Sequence, residues 1–241
     1  MIDLTGRQKD LLKAIIEIFV KEGIPVGSEN IEKGYNLGVS PATIRNEMAR
    51  LTEMGLLKQP HTSAGRIPTS MGFRIYISEI MKEKDMPISA EVTIKEALWQ
   101  QRYQMNRMLK EAVRALAFRC QMLAVAISDE GDMYSAGVAH ILDFVEFEDI
   151  DVARFVLSLF DEYPTLSGII RQAEGPSPLH ILFGEELGYE HLMPTSFVFY
   201  KFISPKGEGV IGVIGPARMN FPVVIPYVRY TAGLIEQALR G

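Results

Sequence analysis

The chain has 241 residues, 47% of them hydrophobic and 23% charged, which is the composition of an ordinary folded protein with room for two modest domains. Its single cysteine excludes an internal disulfide and a CxxC metal site. The sequence contains no run of about 18 uncharged apolar residues and no secretion signal, so we expect a cytoplasmic protein that does not span a membrane.

The formal net charge of −5 is unevenly distributed along the chain. Residues 1–80 carry ten Lys/Arg and nine Asp/Glu, whereas the remainder carries 15 basic and 21 acidic residues. Within residues 33–74, six basic side chains stand against two acidic ones. Positive charge is therefore concentrated in a stretch that could meet nucleic-acid phosphates.

The first predicted element is an amphipathic helix over residues 5–22, where apolar residues recur every three or four positions. Thr5 suits its N-cap and Gly23 its C-terminal stop. This helix supplies an apolar face on which the following elements can pack.

Residues 25–55 follow with the pattern of a helix-turn-helix. Ser28 is predicted to cap the first short helix, and residues 36–38 supply the turn. Ser40 is predicted to cap the second helix, with Pro41 at the first helical position, where its missing N–H costs nothing.

The second of these helices is expected to read DNA, because the side opposite its apolar stripe carries small and hydrogen-bonding side chains. In the major groove each base pair shows a distinct pattern of donors and acceptors, which arginine, asparagine and threonine side chains can match. Serines at helix N-termini would bring backbone N–H groups to phosphates. The predicted DNA contacts of the two helices are Ser28, Ser40, Thr43, Arg45, Asn46 and Arg50. The alternative for the two arginines is a surface ion pair with Glu47 or Glu53.

A β-hairpin wing is predicted after Gly55, with LLKQP and RIPT as its strands and HTSAG as its polar tip. We expect the wing to follow the adjoining backbone or minor groove. Its predicted DNA contacts are His61, Thr62, Ser63 and Arg66.

A further helix is predicted over residues 70–84, and the charged, proline-containing stretch after it predicts a domain boundary. The sequence thus divides into a winged helix-turn-helix domain over residues 1–82, a linker over 83–91 and a second domain over 92–241.

The second domain is predicted to be α+β, with antiparallel strands and helices to one side of them. Its first element is predicted to be one helix of about 40 Å over residues 92–120, long enough for part of it to contact a second copy of the chain. Strands are then expected in MLAVAIS, DMYSAGV, PLHILFGEE, SFVFYKFIS and VIGVIG, and helices in DIDVARFVLSLFDEY and over residues 221–239.

No catalytic or metal-binding pattern is present in the sequence. The four histidines are isolated, and the GxSxG, GxxxxGK[ST] and GxGxxG motifs are absent. The acidic residues at 146–151 are interpreted as a solvated loop, and Cys120 as a buried thiol. We therefore expect no enzyme activity, no metal and no cofactor.

The string SPATIRNEMARLTEMGLLKQPHTSAGRIPT, followed by GFRIYI, resembles the signature of the HrcA repressors over residues 4–80. Two further segments, VIGVIGPARMNFPVVIPYVRYTAGLIEQAL and AGVAHILDFVEFEDIDVARFVLSLF, resemble later parts of that family. The resemblance implies a winged-helix domain joined to a GAF-like domain, binding as a homodimer to an inverted-repeat operator in double-stranded DNA upstream of chaperone genes. It also implies that a GroEL-type chaperonin keeps the repressor active and that heat relieves repression.

Members of that family carry an inserted dimerising region between segments that here lie near Ser128 and Gly137, where only a short turn is present. The GAF-like domain is therefore expected to be truncated, and dimerisation is hypothesised to use the helix at 92–120. Two alternatives remain open at this point. One is a ligand-sensing regulator that uses the GAF-like domain, and the other is an interaction module that no longer binds DNA.

Overall fold

The computed structural model describes residues 3–35, 38–205 and 207–240. These residues form two compact units, Met1–Lys82 and Glu83–Gly241. The turn predicted at 36–38 lies partly outside the described residues.

The described residues of the first unit form four α-helices and a short two-stranded hairpin. Thr5 caps the first helix in a capping box with Gln8, and Gly23 ends it in the left-handed conformation with φ of 71°, both as predicted. The hairpin strands are antiparallel and only two residues long, shorter than predicted. The elements are α1 (Gly6–Glu22), α2 (Ser28–Gly34), α3 (Pro41–Glu53), β1 (Leu57–Lys58), β2 (Ile67–Pro68) and α4 (Ser70–Ile75).

The last helical stretch of this unit is shorter than the predicted helix over 70–84. A π-helical turn, Tyr76–Ile80, continues α4, and Met81 is already extended with ψ of 154°. The core between α1, α3 and α4 is apolar, since Leu11, Ile15, Ile44, Leu51 and Phe73 are each at most 2% exposed.

The second unit contains a five-stranded antiparallel sheet with strand order β4-β3-β7-β6-β5. Its α+β class is as predicted. Short 3₁₀ segments, including Val138–Asp143 and Val145–Phe147, connect its main elements. Those elements are α5 (Ile88–Trp99), α6 (Met105–Cys120), β3 (Leu123–Ile127), β4 (Met133–Ala136), α7 (Ile150–Ser158), α8 (Tyr163–Arg171), β5 (Leu179–Phe183), β6 (Thr195–Ser204), β7 (Gly207–Pro216) and α9 (Phe221–Arg240).

Helices cover both faces of this sheet, and the prediction of helices to one side was wrong. Leu123, Val125, Phe197 and Phe199 point to one face, where they form a core with residues of α7, α8 and the first 3₁₀ segment. Because side chains alternate along a strand, the residues between them, such as Val198, face the other layer, formed by α6 and α9.

The predicted single helix over 92–120 is in fact two helices, α5 and α6, separated by residues 100–104. Gln104 has φ of −132° and ψ of 89°, which is not helical. The break lets α5 fold back on α6. The two helices pack against each other, and each of them also contacts α9.

Residues 83–91, predicted as a linker, begin by packing on α9. The Glu83 carboxylate accepts two hydrogen bonds from the Arg229 guanidinium, at 2.6 and 2.9 Å, and the Lys84 N–H donates to the Pro222 carbonyl at 2.9 Å. The linker also ends earlier than predicted, because α5 begins at Ile88.

A tight hairpin joins β3 to β4 at the place where the family insertion was expected to be missing. The Ser128 N–H donates to the Asp132 carbonyl at 2.8 Å, and the Gly131 N–H donates to the Ser128 carbonyl at 3.0 Å. Gly131 has φ of 88°, a conformation that glycine adopts without strain. The strands therefore close directly on each other.

Candidate nucleic-acid interface

Helix α3 begins with the predicted cap. The Ser40 hydroxyl accepts a hydrogen bond from the Thr43 N–H at 3.3 Å, and Pro41 lies in the first turn. Ile44, Met48 and Leu51 are buried against the rest of the unit. The solvent-facing side is formed by Ala42, Arg45, Asn46, Ala49, Arg50 and Glu53, all of them exposed.

Glu47 is buried on the inner side of α3 and fixes that helix to α1. Its carboxylate, 6% exposed, accepts from the Arg7 guanidinium at 2.8 Å and the Gln8 amide at 3.2 Å. Arg50 also donates to it at 3.3 Å, with its side chain 63% exposed. The ion-pair alternative therefore describes part of what Arg50 does.

Arg45 is free of such a pairing. Within the ranges 3–35, 38–205 and 207–240, no acidic side chain lies within ion-pair distance of its guanidinium, and no hydrogen bond holds it. Its side chain is exposed on the outer side of α3.

The wing tip is held in shape by its own hydrogen bonds. The Gln59 amide donates to the carbonyls of Thr62 and Ala64, both at 2.9 Å. The Ala64 N–H donates to the His61 carbonyl at 2.9 Å, and the His61 ring lies 3.2 Å from the Ser63 hydroxyl. The polar side chains of this tip are thus presented on an ordered loop.

The base of the wing is attached to both helices of the helix-turn-helix. Arg66 and Val26 exchange two backbone hydrogen bonds of 2.9 Å, which places the wing beside the start of α2. The Arg66 guanidinium donates to the Thr52 hydroxyl at 3.2 Å, and that hydroxyl donates to the Met48 carbonyl at 2.8 Å on α3.

These attachments create a groove of about 410 Å³ between the start of α2, the outer side of α3 and the wing. Two guanidinium groups, several hydroxyl and amide groups and the Glu29 carboxylate line it, and all but the carboxylate are suited to phosphate and sugar contacts. Five predicted residues line the groove, namely Ser28, Arg45, Thr62, Ser63 and Arg66.

The other five predicted residues lie elsewhere on the first unit. Ser40, Asn46, Arg50 and His61 are exposed and Thr43 is partly exposed, but none of them lines the groove. They extend the candidate surface along α3 and over the wing tip.

Ser28 does not cap α2, and that prediction was wrong. Gly27 occupies the N-cap without a side-chain bond, and Ser28 is the first helical residue, 7% exposed. The cap falls one residue earlier because Val26 is held by the bridge to Arg66, which fixes where the helix can start.

Of the groove residues that the prediction missed, three have polar side chains, Glu29, Asn30 and Gln59. Asn30 and Glu29 follow the start of α2, where only Ser28 had been considered. Gln59 could have been found because a long amide before a polar hairpin tip can bond the tip carbonyls.

Comparison with known protein families shows which family the chain belongs to. Residues 3–82 match the family model described as "Winged helix-turn-helix transcription repressor, HrcA DNA-binding", and residues 73–225 match "HrcA protein C terminal domain". The chain belongs to the HrcA family. This HrcA protein is a heat-shock transcription repressor with a DNA-binding winged-helix domain, as its sequence predicted.

Individual relatives agree with the family assignment. The chain is 26% identical to the heat-inducible transcription repressor HrcA of Symbiobacterium thermophilum, with 100% of this chain and 99% of the relative aligned. It is 43% identical to the HrcA protein of Moorella thermoacetica over 126 residues, which are 52% of this chain and 37% of the relative. A crystal structure titled as that of a hypothetical protein matches with a TM-score of 0.76 at 17% identity, covering 98% of this chain and 99% of the other, and supports the fold alone.

The alignment with the Symbiobacterium protein also locates a length difference. It runs over 341 positions whereas this HrcA chain has 241 residues, so about 100 positions of the relative have no counterpart here. Because the whole of this chain is aligned, those positions are internal.

Among the residues that the structure describes, no group of three or more His, Cys, Asp or Glu side chains could hold a metal ion. None of the helices built from those residues has both the length and the apolar character needed to cross a membrane.

Proposed function

We propose that this HrcA protein represses transcription by inserting α3 into the major groove of an operator while the wing contacts the adjoining backbone. The observation that carries the proposal is the groove in which Arg45 of α3 and Arg66 of the wing lie beside the start of α2. One duplex can contact all three elements at once only if they share one surface.

The residues divide between base reading and positioning. Arg45 and Asn46 extend from the exposed side of α3 without partners among the described residues, which suits bidentate contacts to guanine and adenine. Arg50 shares its guanidinium with Glu47 and is assigned a phosphate contact. The remaining predicted residues, Ser28, Ser40, Thr43, His61, Thr62, Ser63 and Arg66, are assigned to phosphate and sugar contacts through their N–H, hydroxyl or cationic groups.

The experiment is a fluorescence anisotropy titration of the full chain with two duplexes at one fixed salt concentration. One duplex carries the inverted repeat found upstream of the chaperone genes of the same genome, and the other a scrambled sequence. Arg45→Gln is expected to lose about 1 to 3 kcal/mol of binding to the repeat and to relax preference at one position.

The matched control is Arg114→Gln, which removes an exposed helical arginine from the second unit. It is expected to leave binding to the repeat unchanged. Equal affinity of the unaltered chain for the repeat and the scrambled duplex would refute sequence-specific repression by this surface.

We propose further that the repressor acts in the bacterial cytoplasm as a homodimer on its inverted-repeat operator. A two-fold operator presents two identical half-sites about one helical turn apart, and a two-fold protein can bind both of them. This part is supported by the resemblance to HrcA repressors. Its test is the stoichiometry of the complex, with two protomers expected for each repeat.

The heat response is proposed to depend on a GroEL-type chaperonin that maintains the active state. The relatives are named heat-inducible transcription repressors, which supports release on heat stress. Refolding the denatured chain with and without chaperonin and ATP, and then titrating operator duplex, tests the dependence. An equal yield of DNA-binding protein in both samples would contradict it.

A further inference from the structure

Helix α5 is apolar on two opposite sides. Ala90, Ile94 and Leu98 are at most 1% exposed and face α6 and α9. On the other side, four large apolar side chains are separated by four, seven and four residues; the first three share one stripe of α5, and the fourth lies in the turn that follows its end. They are Ile88, Val92, Trp99 and Tyr103, exposed at 78%, 48%, 40% and 82%.

We refer to these four residues, with Lys95 and Glu96 between them, as the α5 stripe. A helix that is apolar all round is normally buried on all sides, and an apolar patch rimmed by polar groups marks an interaction site. A shallow groove of about 430 Å³ runs along the stripe, lined by Val92, Lys95, Glu96, Trp99, Gln100 and Arg102. The described residues of one copy therefore leave the stripe uncovered.

The charges at the centre of the stripe indicate which partner fits. Lys95 and Glu96 are adjacent and exposed, and in the described part of the chain neither of them makes an ion pair. Their sequence spacing to the apolar residues is symmetric, because Val92 and Trp99 lie three residues outside them and Ile88 and Tyr103 lie seven residues outside.

We infer that the α5 stripe is a dimer interface in which two copies of α5 pack antiparallel about a two-fold axis between Lys95 and Glu96. In this register Lys95 of each copy faces Glu96 of the other, which gives two ion pairs. Val92 faces Trp99, again twice, and Ile88 extends past the end of the partner's α5, beside the turn that carries Tyr103. A single stripe thus complements itself in both charge and apolar character, as a two-fold interface requires.

The end of the stripe is already held in place. The Arg102 guanidinium lies over the Tyr103 ring at 4.3 Å and the Trp99 ring at 5.5 Å, and it donates to the Tyr103 hydroxyl at 3.1 Å. It also donates to the Trp99 carbonyl at 2.8 Å at the end of α5. Ordering these rings before association reduces the entropy lost on binding.

The area on offer is consistent with a specific contact. At their observed exposure, the two aromatic rings offer on the order of 250 Å² per copy. That is about a third of what one partner buries in a standard interface, before Ile88, Val92 and the stems of the charged side chains are counted. The inference rests on the homodimer of the proposed function and assigns the surface that forms it.

Sedimentation of the full chain without DNA tests the register by exchanging its charges. Lys95→Glu gives each copy two adjacent carboxylates, and Glu96→Lys gives each copy two adjacent ammonium groups. Each variant alone should therefore dimerise about tenfold more weakly than the unaltered chain, because like charges face each other across the axis. An equimolar mixture of the two variants should regain the dimer as a heterodimer with both ion pairs restored.

Val92→Glu tests the apolar part of the stripe, with Leu142→Glu as the matched control. Leu142 is 62% exposed and neighbours Ile141 of the core on the opposite face of the sheet. Val92→Glu is expected to weaken the dimer by about tenfold or more, and Leu142→Glu to leave it unchanged.

Three results would overturn the inference: a monomeric unaltered chain at tens of micromolar, a Val92→Glu dimer of unaltered strength, or no gain on mixing the charge variants. The samples for these measurements contain no DNA, so their outcome does not depend on whether α3 and the wing bind DNA. Titration of a single half-site duplex reports on that surface alone, because one protomer suffices to bind it.

Discussion

Glu47 shows how one buried side chain can fix the position of α3 against α1. Its carboxylate accepts from Arg7 and Gln8 of α1 at 2.8 and 3.2 Å, and Gln8 also closes the capping box of that helix. The start of α1 and the middle of α3 are thus joined through one buried acceptor. Removing it would leave the Gln8 amide without its bond in a buried place, which costs more than the bond itself contributes.

We predict that Glu47→Ala lowers the free energy of unfolding of the first unit by about 1 to 3 kcal/mol. Urea unfolding of the full chain, monitored by a probe that reports on the first unit, measures this loss of unfolding free energy. Glu53→Ala is the control, since Glu53 is exposed on the same helix and its removal should change stability by less than about 0.5 kcal/mol. Equal losses for the two variants would show that Glu47 is not an anchor.

Cys120 is a second residue whose environment determines its chemistry. Its thiol, at the end of α6, is buried, and burial raises its pKa to about 12. Because the thiolate is the reactive form, native protein at pH 8 contains very little of it.

A thiol reagent at pH 8 should therefore label Cys120 only when the second unit opens. We expect labelling at least about a hundredfold slower in buffer than in denaturing urea, followed by absorbance of the released chromophore. Rapid labelling of native protein would contradict the buried position. A Cys120→Ala variant, which removes the thiol, provides the blank.

The wing depends on a close backbone approach at Gly65. A Cβ there would lie 2.4 Å from the Val26 carbonyl oxygen, too close for any side chain. The approach permits the paired hydrogen bonds between Val26 and Arg66 that hold the wing beside α2. Glycine is thus required by contact rather than by an unusual φ.

Gly65→Ala is predicted to displace the wing, with a loss of about 1 to 3 kcal/mol in stability of the first unit and weaker binding of operator duplex. Gly34→Ala is the matched control, because a Cβ at Gly34 meets nothing within 4 Å. Urea unfolding and anisotropy titration of both variants separate the two effects. Unchanged operator binding by Gly65→Ala would remove the wing from the proposed interface.

Signals confined to a few neighbouring residues were readable from the sequence. Ser40 followed by Pro41 fixed the start of α3, and Gly23 the end of α1, because caps depend on local hydrogen bonds and on φ. The cap of α2 was misplaced because a long-range bridge between Val26 and Arg66 decides it.

The break between α5 and α6 had no comparable local signal. Residues 100–104 contain neither glycine nor proline, and the apolar spacing continues through Tyr103. The chain turns there because packing of α5 on α6 and α9 stabilises the fold more than a longer helix would. Such packing depends on tertiary contacts, which a local sequence pattern does not show. The placement of helices on both faces of the sheet also depends on tertiary contacts and was missed. In addition, α8 was not predicted.

The two units of the chain differ in charge. Positive charge gathers on the stretch that carries α3 and the wing, and the acidic excess belongs to the second unit. An acidic second unit is repelled by DNA, which leaves the first unit as the contact. Affinity for a two-fold operator then depends on whether two first units are joined through their second units.

Joining two reading units should raise operator affinity without any new DNA contact, because the second half-site is bound from a high effective concentration. Lys95→Glu or Glu96→Lys alone should bind the full inverted repeat about 10- to 100-fold more weakly than an equimolar mixture of the two. All of these samples should bind a single half-site duplex with equal affinity, since positions 95 and 96 lie outside the first unit. Anisotropy titrations of both duplexes measure this. Weaker half-site binding by the single variants would mean that the exchanges damage the reading unit, and equal full-site binding by all samples would mean that the α5 stripe does not join the repressor dimer on DNA.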